Sequence, residues 1–460
     1  MTSRPPVSPE SGQRVLAAFR RAAVESPAYR VLLREHSVNP DAITDLETFL
    51  RWCPVLNKQS TFGRFPIDDL AVPGTLDELA NVLPSSGHGG HFSFGLETRA
   101  QSAAAAAFVD DALDTAFQVK SRRTLAVNCL PMGVGVSSAC MAIATVSVRE
   151  DVAVAVIERF GPHFDQVLLI SDPLFLPRLL AYGATRGTAW RRHDTRLVLG
   201  GEVFGESFRD YAGRQLGYSP EDLDTGVIRS SMGAAELGLH LLHETPATIA
   251  LRRRAARHPQ FSADLLGTPA PLRPTPMLLA YDHARIFVEV VDPDASGFGL
   301  LTITLLDPRV PVPLVRYQPG DIAALVDAAD VQAAAQHDGL APGSIPWPLV
   351  ALRGRQGDLL RNGSHLSVYK EALFAADDVA SIVTGAYRAE IDGQGVAALH
   401  VQLRPGINAG ASAEDTVLRV LAPEDRPSRV RLWRYETFPF GMLLDYERKF
   451  LYGVRSVSPL

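Results

Sequence analysis

The sequence predicts an α/β protein: a large N-terminal domain of mixed, mostly parallel sheets covered by helices, with a β-rich subdomain, followed by a smaller α+β domain. Three observations predict it. Short apolar runs alternate with helical periodicity from Thr124 to Ser230, the pattern of a mostly parallel sheet wrapped on both faces. Past Ala280 the chain breaks into short strands separated by Asp, Pro and Gly. After the Pro/Gly-rich stretch Ala341 to Pro348, a last segment mixes strands and helices and is long enough to form a domain of its own.

Each element has its own signal. From Ser11 to Glu35 the residues Val15, Leu16, Phe19, Ala22 and Ala23 recur at helical spacing. A second helical run covers Thr98 to Val119, where the alanines Ala103 to Ala107 favour helix over linker. Thr124 to Cys129 reads as a strand, Ser137 to Val148 as a helix, and Val167 to Ile170 as a strand with helix Leu174 to Ala184 behind it. Strand Arg196 to Leu199, helix Glu206 to Leu216 and strand Thr225 to Ser230 complete the alternating series. The β-rich part comprises Arg285 to Val291, Gly299 to Leu306, Val312 to Arg316 and Ile322 to Val326. The last module opens with strand Leu349 to Leu352 and the polar turn Gly354 to Asp358. It continues with a helix near Tyr369 to Ala376, strands near Ala380 to Ile391 and Gly395 to Leu403, a helix near Ala413 to Leu421 and strand Val430 to Tyr435. The chain shows no internal repeat.

Composition narrows the function. The 460 residues are 46% hydrophobic and 21% charged, which excludes a disordered or fibrous chain. A net charge of -6 and a pI near 6.1 leave no basic surplus for gripping nucleic acid. Cys53, Cys129 and Cys140 form no Cys-x-x-Cys pair, so neither a disulfide framework nor a thiolate zinc site is expected, and a reducing cytoplasm fits. No signal peptide and no run of ~18 uncharged apolar residues is present, so a soluble, cytoplasmic protein without membrane partners is expected. Of the 45 basic residues only Lys58, Lys120, Lys370 and Lys449 are lysines. Arginine cannot replace lysine where a compact point charge must enter a tight site, so these four form a short list of candidates.

Several segments carry candidate chemistry. Pro84-Ser85-Ser86-Gly87-His88-Gly89-Gly90-His91 offers backbone N–H groups and hydroxyls to an anion, as a phosphate cradle does, but with neither dinucleotide-binding nor Walker spacing; a flexible surface loop has the same composition. His88 and His91 have no carboxylate or thiolate nearby in sequence to complete a metal pair. Ser230 to Glu236 lies at the end of a predicted parallel strand, where open α/β sheets bind ligands, and Glu236 there is either a cation ligand or an exposed helix-entry residue. The turns Arg316 to Asp321 and Gly354 to Asp358 each carry an arginine and an aspartate, which individually read as ion pairs at strand ends.

Taken together these segments resemble the adenylate-forming acyl/aryl ligases, and among them the phenylacetate-CoA ligase-like branch related to acyl-protein synthetases. Ser26-Pro27-Ala28-Tyr29-Arg30, Val38 to Asp41, Leu46-Glu47 and Pro54 to Lys58 resemble the branch's N-terminal segment. Ser85-Ser86-Gly87 stands where the family has Ser-Ser-Gly-Thr-Thr-Gly-Lys, and Gly200-Gly201-Glu202 resembles its Gly-Ala/Gly-Glu turn. Gly233-Ala234-Ala235-Glu236 resembles Tyr-Gly-x-Thr-Glu, with Met232 and Ala235 replacing tyrosine and threonine. Arg316-Tyr317 with Gly320-Asp321 resembles Arg-Tyr-x-Thr-Gly-Asp, and Gly354-Arg355 the Gly-Arg that opens the C-terminal domain. Glu447-Arg448-Lys449-Phe450 supplies a lysine near the family's catalytic one, without the usual preceding glycine.

The resemblance implies an adenylate-forming core over residues 1–353, a mobile α+β lid over 354–460, and ATP-dependent activation of a carboxylic acid as acyl-adenylate. ATP and Mg2+ are the implied cofactors, with coenzyme A as the implied thiol acceptor. A carrier-protein thiol or an amine acceptor is the alternative, as is a catalytically silent ligand-binding relative, and a homodimer is allowed for. The resemblance assigns Ser85, Ser86, Gly87, His88 and His91 to the β/γ-phosphates, the two histidines replacing the family's threonine and lysine donors. It further assigns Gly201, Glu202 and Gly233 to the nucleotide pocket, Glu236 to magnesium, Asp321 to the ribose hydroxyls, Arg355 to ribose or phosphate beside the hinge, and Lys449 to adenylation. The acid pocket is expected to involve Asn128, Met132, Gly133, Val134, Phe204 and Met232; the apolar, uncharged surface of Met132, Val134, Val136 and Phe204 favours an aromatic or medium-sized apolar acid, and a specialised biosynthetic pathway is expected.

Overall fold

The computed structural model describes residues 9–85, 91–337, 348–393, 395–408, 411–440 and 446–455. The parallel half of the large sheet runs in the order Ala142–Thr145, Thr124–Asn128, Gln166–Ser171, Thr195–Leu199 and Ile228–Ala234. Its side chains divide by parity. Leu125, Val127, Val167, Leu169, Leu197 and Leu199 share a core with helices Glu150–Phe160, Leu176–Arg186 and Glu206–Leu216. The alternate residues Ala126, Leu168, Ile170 and Val198 meet Leu113 and Phe117 of helix Arg99–Phe117. Both faces are therefore dry, which is why these strands read as unbroken apolar runs rather than alternating ones.

At Ser230 the sheet changes character. Ile228–Ala234 pairs in parallel with Thr195–Leu199 as far as Ser230, and from Ser231 it pairs antiparallel with Gly238–His243. The antiparallel half continues through Met277–Tyr281, Leu349–Arg355, Asp321–Val326 and Gly299–Leu305, with Ile286–Val291 paired beside the last. Tyr317–Gln318 then joins Gly299–Leu305 to Leu56–Asn57. Helices Pro246–Arg257, Pro259–Leu266 and Ala328–His337 cover this half through Leu251, Phe261, Leu265 and Val331.

A separate four-stranded sheet, in the order Val430–Trp433, Val396–Leu403, Val383–Ile391 and Gly453–Arg455, forms the smaller domain. Its helix Ser367–Ala375 docks on the large domain. There Phe374 packs edge-on against Phe208 at 4.9 Å, and Glu371 Oε1 accepts the Ser207 N–H at 2.9 Å, capping helix Glu206–Leu216 from outside.

Two expected elements are absent. Ser137 to Val148 is not a helix but a loop leading into the edge strand Ala142–Thr145. Its start is held by Asp110, which accepts the Ala139 N–H at 2.7 Å and the Ser138 hydroxyl, and the β-branched residues that follow suit pairing with Thr124–Asn128. Val312 to Arg316 is not a strand, since Pro311 and Pro313 interrupt the ladder and Arg316 sits at φ 49°.

Candidate active site

The site gathers where parallel pairing gives way to antiparallel pairing. Strand Ile228–Ala234 ends in a turn before Gly238–His243, and that turn sets Glu236 at the C-terminal edge of the parallel strands. No helix begins there, so Glu236 is not a helix-entry residue. Its Oε1 accepts the Tyr317 hydroxyl at 2.9 Å and its Oε2 accepts the Ser93 hydroxyl at 3.0 Å. The Ser93 N–H donates to Ser85 Oγ at 2.9 Å, and Ser85 Oγ also accepts from Lys58 Nζ at 2.9 Å. One hydrogen-bonded chain thus links Lys58, Ser85, Ser93, Glu236 and Tyr317.

The chain exists because two backbones touch. A Cβ on Gly95 would fall 1.8 Å from the Ala235 carbonyl oxygen, so only glycine lets the hairpin of Leu79–Pro84 and Phe94–Thr98 close on the Glu236 turn. Ser86, Gly87 and His88 lie outside the described residues. His91 is exposed, beside the position a Gly63 Cβ would occupy.

Asp321 and Arg355 face each other across neighbouring strands, their charged groups 3.4 Å apart, and Arg355 donates to the Pro319 carbonyl at 2.5 Å. Asp321 Oδ2 is buried and has no hydrogen-bond partner. A buried acceptor in that state matches a ligand hydroxyl. Lys449 stands half-buried near Glu202, Asp321, Glu236 and Arg355. Burial and the Arg355 guanidinium push its ammonium down from the ordinary lysine value, against the pull of the three carboxylates. Lys58 is likewise pushed down, chiefly by burial, with Glu236 opposing the shift.

Glu202 follows Gly201, whose φ of 86° makes the turn off the sheet. Its Oε2 accepts from Lys370 Nζ at 2.5 Å and from the Tyr452 hydroxyl at 2.8 Å, and both donors come from the smaller domain. Two further carboxyls crowd the pair. Asp172 and Asp358 are each raised to about 6, first by burial and then by the Glu202 charge.

Three of the four lysines therefore meet in this cleft, while Lys120 pairs with Asp111 at the surface. Lys58, Lys370, Ser93, Tyr317 and Tyr452 take no assigned site role from the sequence. Scarcity of lysine puts the first two among the candidates, and Tyr317 stands in the Arg316-Tyr317 motif; nothing local marks Ser93 or Tyr452. Arg316 proves to be the satisfied ion pair: buried, bidentate to Glu289 at 2.9 and 3.2 Å, and donating to the Leu50 and Cys53 carbonyls.

The expected acid-pocket residues divide. Phe204 is 1% exposed, packed on Phe208 with the Arg209 guanidinium 5.1 Å over its ring, so it belongs to the core and not to a pocket wall. Asn128 is fully buried and shapes the following loop, donating to the Val134 carbonyl at 2.7 Å and accepting the Leu130 N–H at 3.1 Å. Met132 and Gly133 form a left-handed turn at φ 60° and 67°, and Val134 and Met232 are half-buried. Gly233 sits where the pairing with Gly238–His243 shifts register, between Met232 and Ala234.

No protein-family model matches the sequence, and no curated protein matches it. The structure is more informative: the chain has the fold of the adenylate-forming acyl-CoA ligases. It superposes on 2-hydroxyisobutyryl-CoA ligase in the postadenylation state with 2-HIB-AMP at a TM-score of 0.67 and 16% identity, over 99% of this chain and 91% of that one. The same ligase with R3-HIB-AMP gives 0.66 and 15%, over 99% and 94%. With 2-HIB-AMP and CoA in the thioesterification state, it gives 0.55 and 16%, over 98% and 91%.

Proposed function

We propose that this protein uses ATP to activate a carboxylic acid as acyl-adenylate and then transfers the acyl group to a thiol such as that of coenzyme A. The observation that carries the reading is the convergence of Lys58, Lys449 and Arg355 with Glu236 and Asp321 at the C-terminal edge of the parallel strands, in this fold. In the first step a carboxylate oxygen attacks the α-phosphorus and pyrophosphate leaves. Such a displacement needs positioning and charge neutralisation more than covalent help. In this reading the Lys449 ammonium bridges the carboxylate and the α-phosphate, a role supported by its place near Asp321, Glu236 and Arg355, and Lys58 with Ser85 binds the leaving phosphates. Asp321 Oδ2 takes a ribose hydroxyl, which satisfies its unpaired lone pairs. In the second step the thiol loses its proton to solvent, its sulfur attacks the acyl carbonyl, and the bond to AMP breaks so that AMP leaves.

Glu236 fits a magnesium ligand. Each of its oxygens accepts one hydrogen bond and keeps a lone-pair direction free, as a carboxylate sharing an ion with phosphate and water would. When bound, magnesium would neutralise the polyphosphate charge.

Met132, Val134 and Met232 present no charge, which supports an aromatic or medium-sized apolar acid and the phenylacetate-CoA ligase-like branch. Gly354 and Arg355 still pair with Ile322 and Asp321 in the large sheet, so the division between the domains is placed just past Arg355 in this reading, two residues beyond the expected 353/354 boundary. The gathering of Lys58, Lys370, Lys449 and Arg355 in the cleft supports an active enzyme over a silent relative. Among the described residues no helix is long and apolar enough to cross a membrane.

The reading is tested by acid-dependent exchange of labelled pyrophosphate into ATP. Glu236→Gln, isosteric but neutral, is expected to lower exchange by ~100-fold or more while the protein stays folded. No exchange with any acid by the wild type overturns the reading, and wild-type exchange by the variant overturns the role of Glu236.

A further inference from the structure

We infer that Glu447 is a positioning residue, a two-point latch that ties the C-terminal segment to the acid-binding loop and thereby sets Lys449 over the reacting atoms; its part in catalysis rests on the function proposed above. Glu447 lies near the end of the chain, beyond the sheet strand Val430–Trp433, yet both its carboxylate oxygens bond the large domain. Oε2 accepts the Met132 N–H at 2.5 Å and Oε1 accepts the Ser147 hydroxyl at 2.5 Å. These donors bracket the loop and edge strand that follow Thr124–Asn128, and the left-handed turn at Met132 presents its N–H outward to the carboxylate. Bonds from such donors to an ionised acceptor are the strong kind.

The residues on either side reinforce the latch. Tyr446 is buried, edge-on to Phe175 at 5.6 Å, with the Arg178 guanidinium 5.0 Å from its ring; both partners belong to the large domain. On the other side of Lys449, the Tyr452 hydroxyl bonds Glu202 at 2.8 Å. The lysine is therefore carried on a short segment fastened to the large domain at both ends. Glu447 adds something the other anchors do not: the same carboxylate that places the lysine also orders the Met132 turn, so closure of the acid loop and arrival of the lysine become one event. When the segment leaves, the Met132 N–H loses its partner, Ser147 is left with the Leu130 carbonyl at 3.4 Å, and the loop is released for the second step.

Two measurements test this. The first is hydrogen exchange at the Met132 amide of the whole, unliganded protein. Glu447→Ala should speed exchange there by ~10-fold or more, with protection of the central strands kept. The second compares half-reactions. Pyrophosphate exchange should fall by roughly 10- to 100-fold with a raised KM for the acid, while acyl transfer from a chemically supplied adenylate stays within about 2-fold of wild type. Glu447→Gln, which keeps an acceptor oxygen, should recover part of both losses. Ser147→Ala, which removes one of the two bonds, should fall between wild type and Glu447→Ala and serves if that variant does not fold. Unchanged Met132 exchange in Glu447→Ala, or equal damage to both half-reactions, overturns the latch. If the wild type exchanges no pyrophosphate with any acid, the proposed function fails, while the Met132 measurement still decides whether the latch exists.

Discussion

Lys449 and Lys58 approach the same carboxylate from opposite ends of the chain, and their environments separate their roles. Lys58 is bonded to Ser85 beside the hairpin of Leu79–Pro84 and Phe94–Thr98 and belongs to the large domain, so under the proposed function it should act on nucleotide binding wherever the C-terminal segment stands. Lys449 arrives with the C-terminal segment and can stabilise charge only while that segment is seated. Lys449→Ala should therefore lower adenylate formation by ~100-fold or more and spare acyl transfer from a supplied adenylate. Lys58→Ala should mainly raise the KM for ATP. Equal damage to both half-reactions in folded Lys449→Ala protein would refute the distinction. That such residues stand out at all follows from composition: in a chain this rich in arginine, a lysine persists where a fork-shaped guanidinium does not fit.

At the scale of elements, the site depends on a hairpin pressed against a turn. Ser93 meets Glu236, with Ser85 joined through it, because Gly95 admits the Ala235 carbonyl, and a Cβ at 1.8 Å has to push one backbone away from the other. Gly95→Ala should cost about 1–3 kcal/mol of stability, as overpacking does, and lower pyrophosphate exchange by more than ~10-fold. A melting temperature and an exchange rate both equal to wild type would show that the contact yields without consequence. The elements legible in the sequence were those with a dry face. Helix Glu206–Leu216 has the expected bounds because its apolar spacing and the following glycine are local signals. The segment Ser137 to Val148 was misread because its conformation is set by Asp110 and by an edge-strand partner, neither of which is local.

For the whole molecule, the pair Lys370 and Glu202 joins the two domains with Asp172 and Asp358 beside it, and that crowding makes the junction pH-dependent. Asp358 titrates at about 6, above the ~3.9 of a free aspartate, so the native state holds the extra proton in between. Its contribution is present below the free value and is lost as pH rises through about 6. Asp172 acts in the same sense. His365, lowered to about 4 by burial and Arg353, acts oppositely, stabilising as pH rises from about 4 to the ~6.5 of free histidine. The balance is resolved by difference: Asp358→Asn should gain melting temperature relative to wild type by roughly a few degrees between about pH 5 and pH 7. A difference that does not change with pH would sink the assignment.

By itself the sequence determined the layered α/β architecture and the separate small domain, because apolar periodicity reports which faces must leave water whatever their partner. Through the order of its family-like segments it also placed Glu236, Asp321, Arg355 and Lys449 on one list, and the fold brings these four into one cleft. Tertiary structure alone decided which charges meet. Arg316 is spent on Glu289, Phe204 in the core, and Glu202 on Lys370, while Lys58, Tyr317 and Glu447 acquire roles from partners between 27 and 315 residues away. Hydrogen bonds and ion pairs act over a few ångströms, and the distance between two side chains is a property of the folded chain rather than of their spacing in sequence.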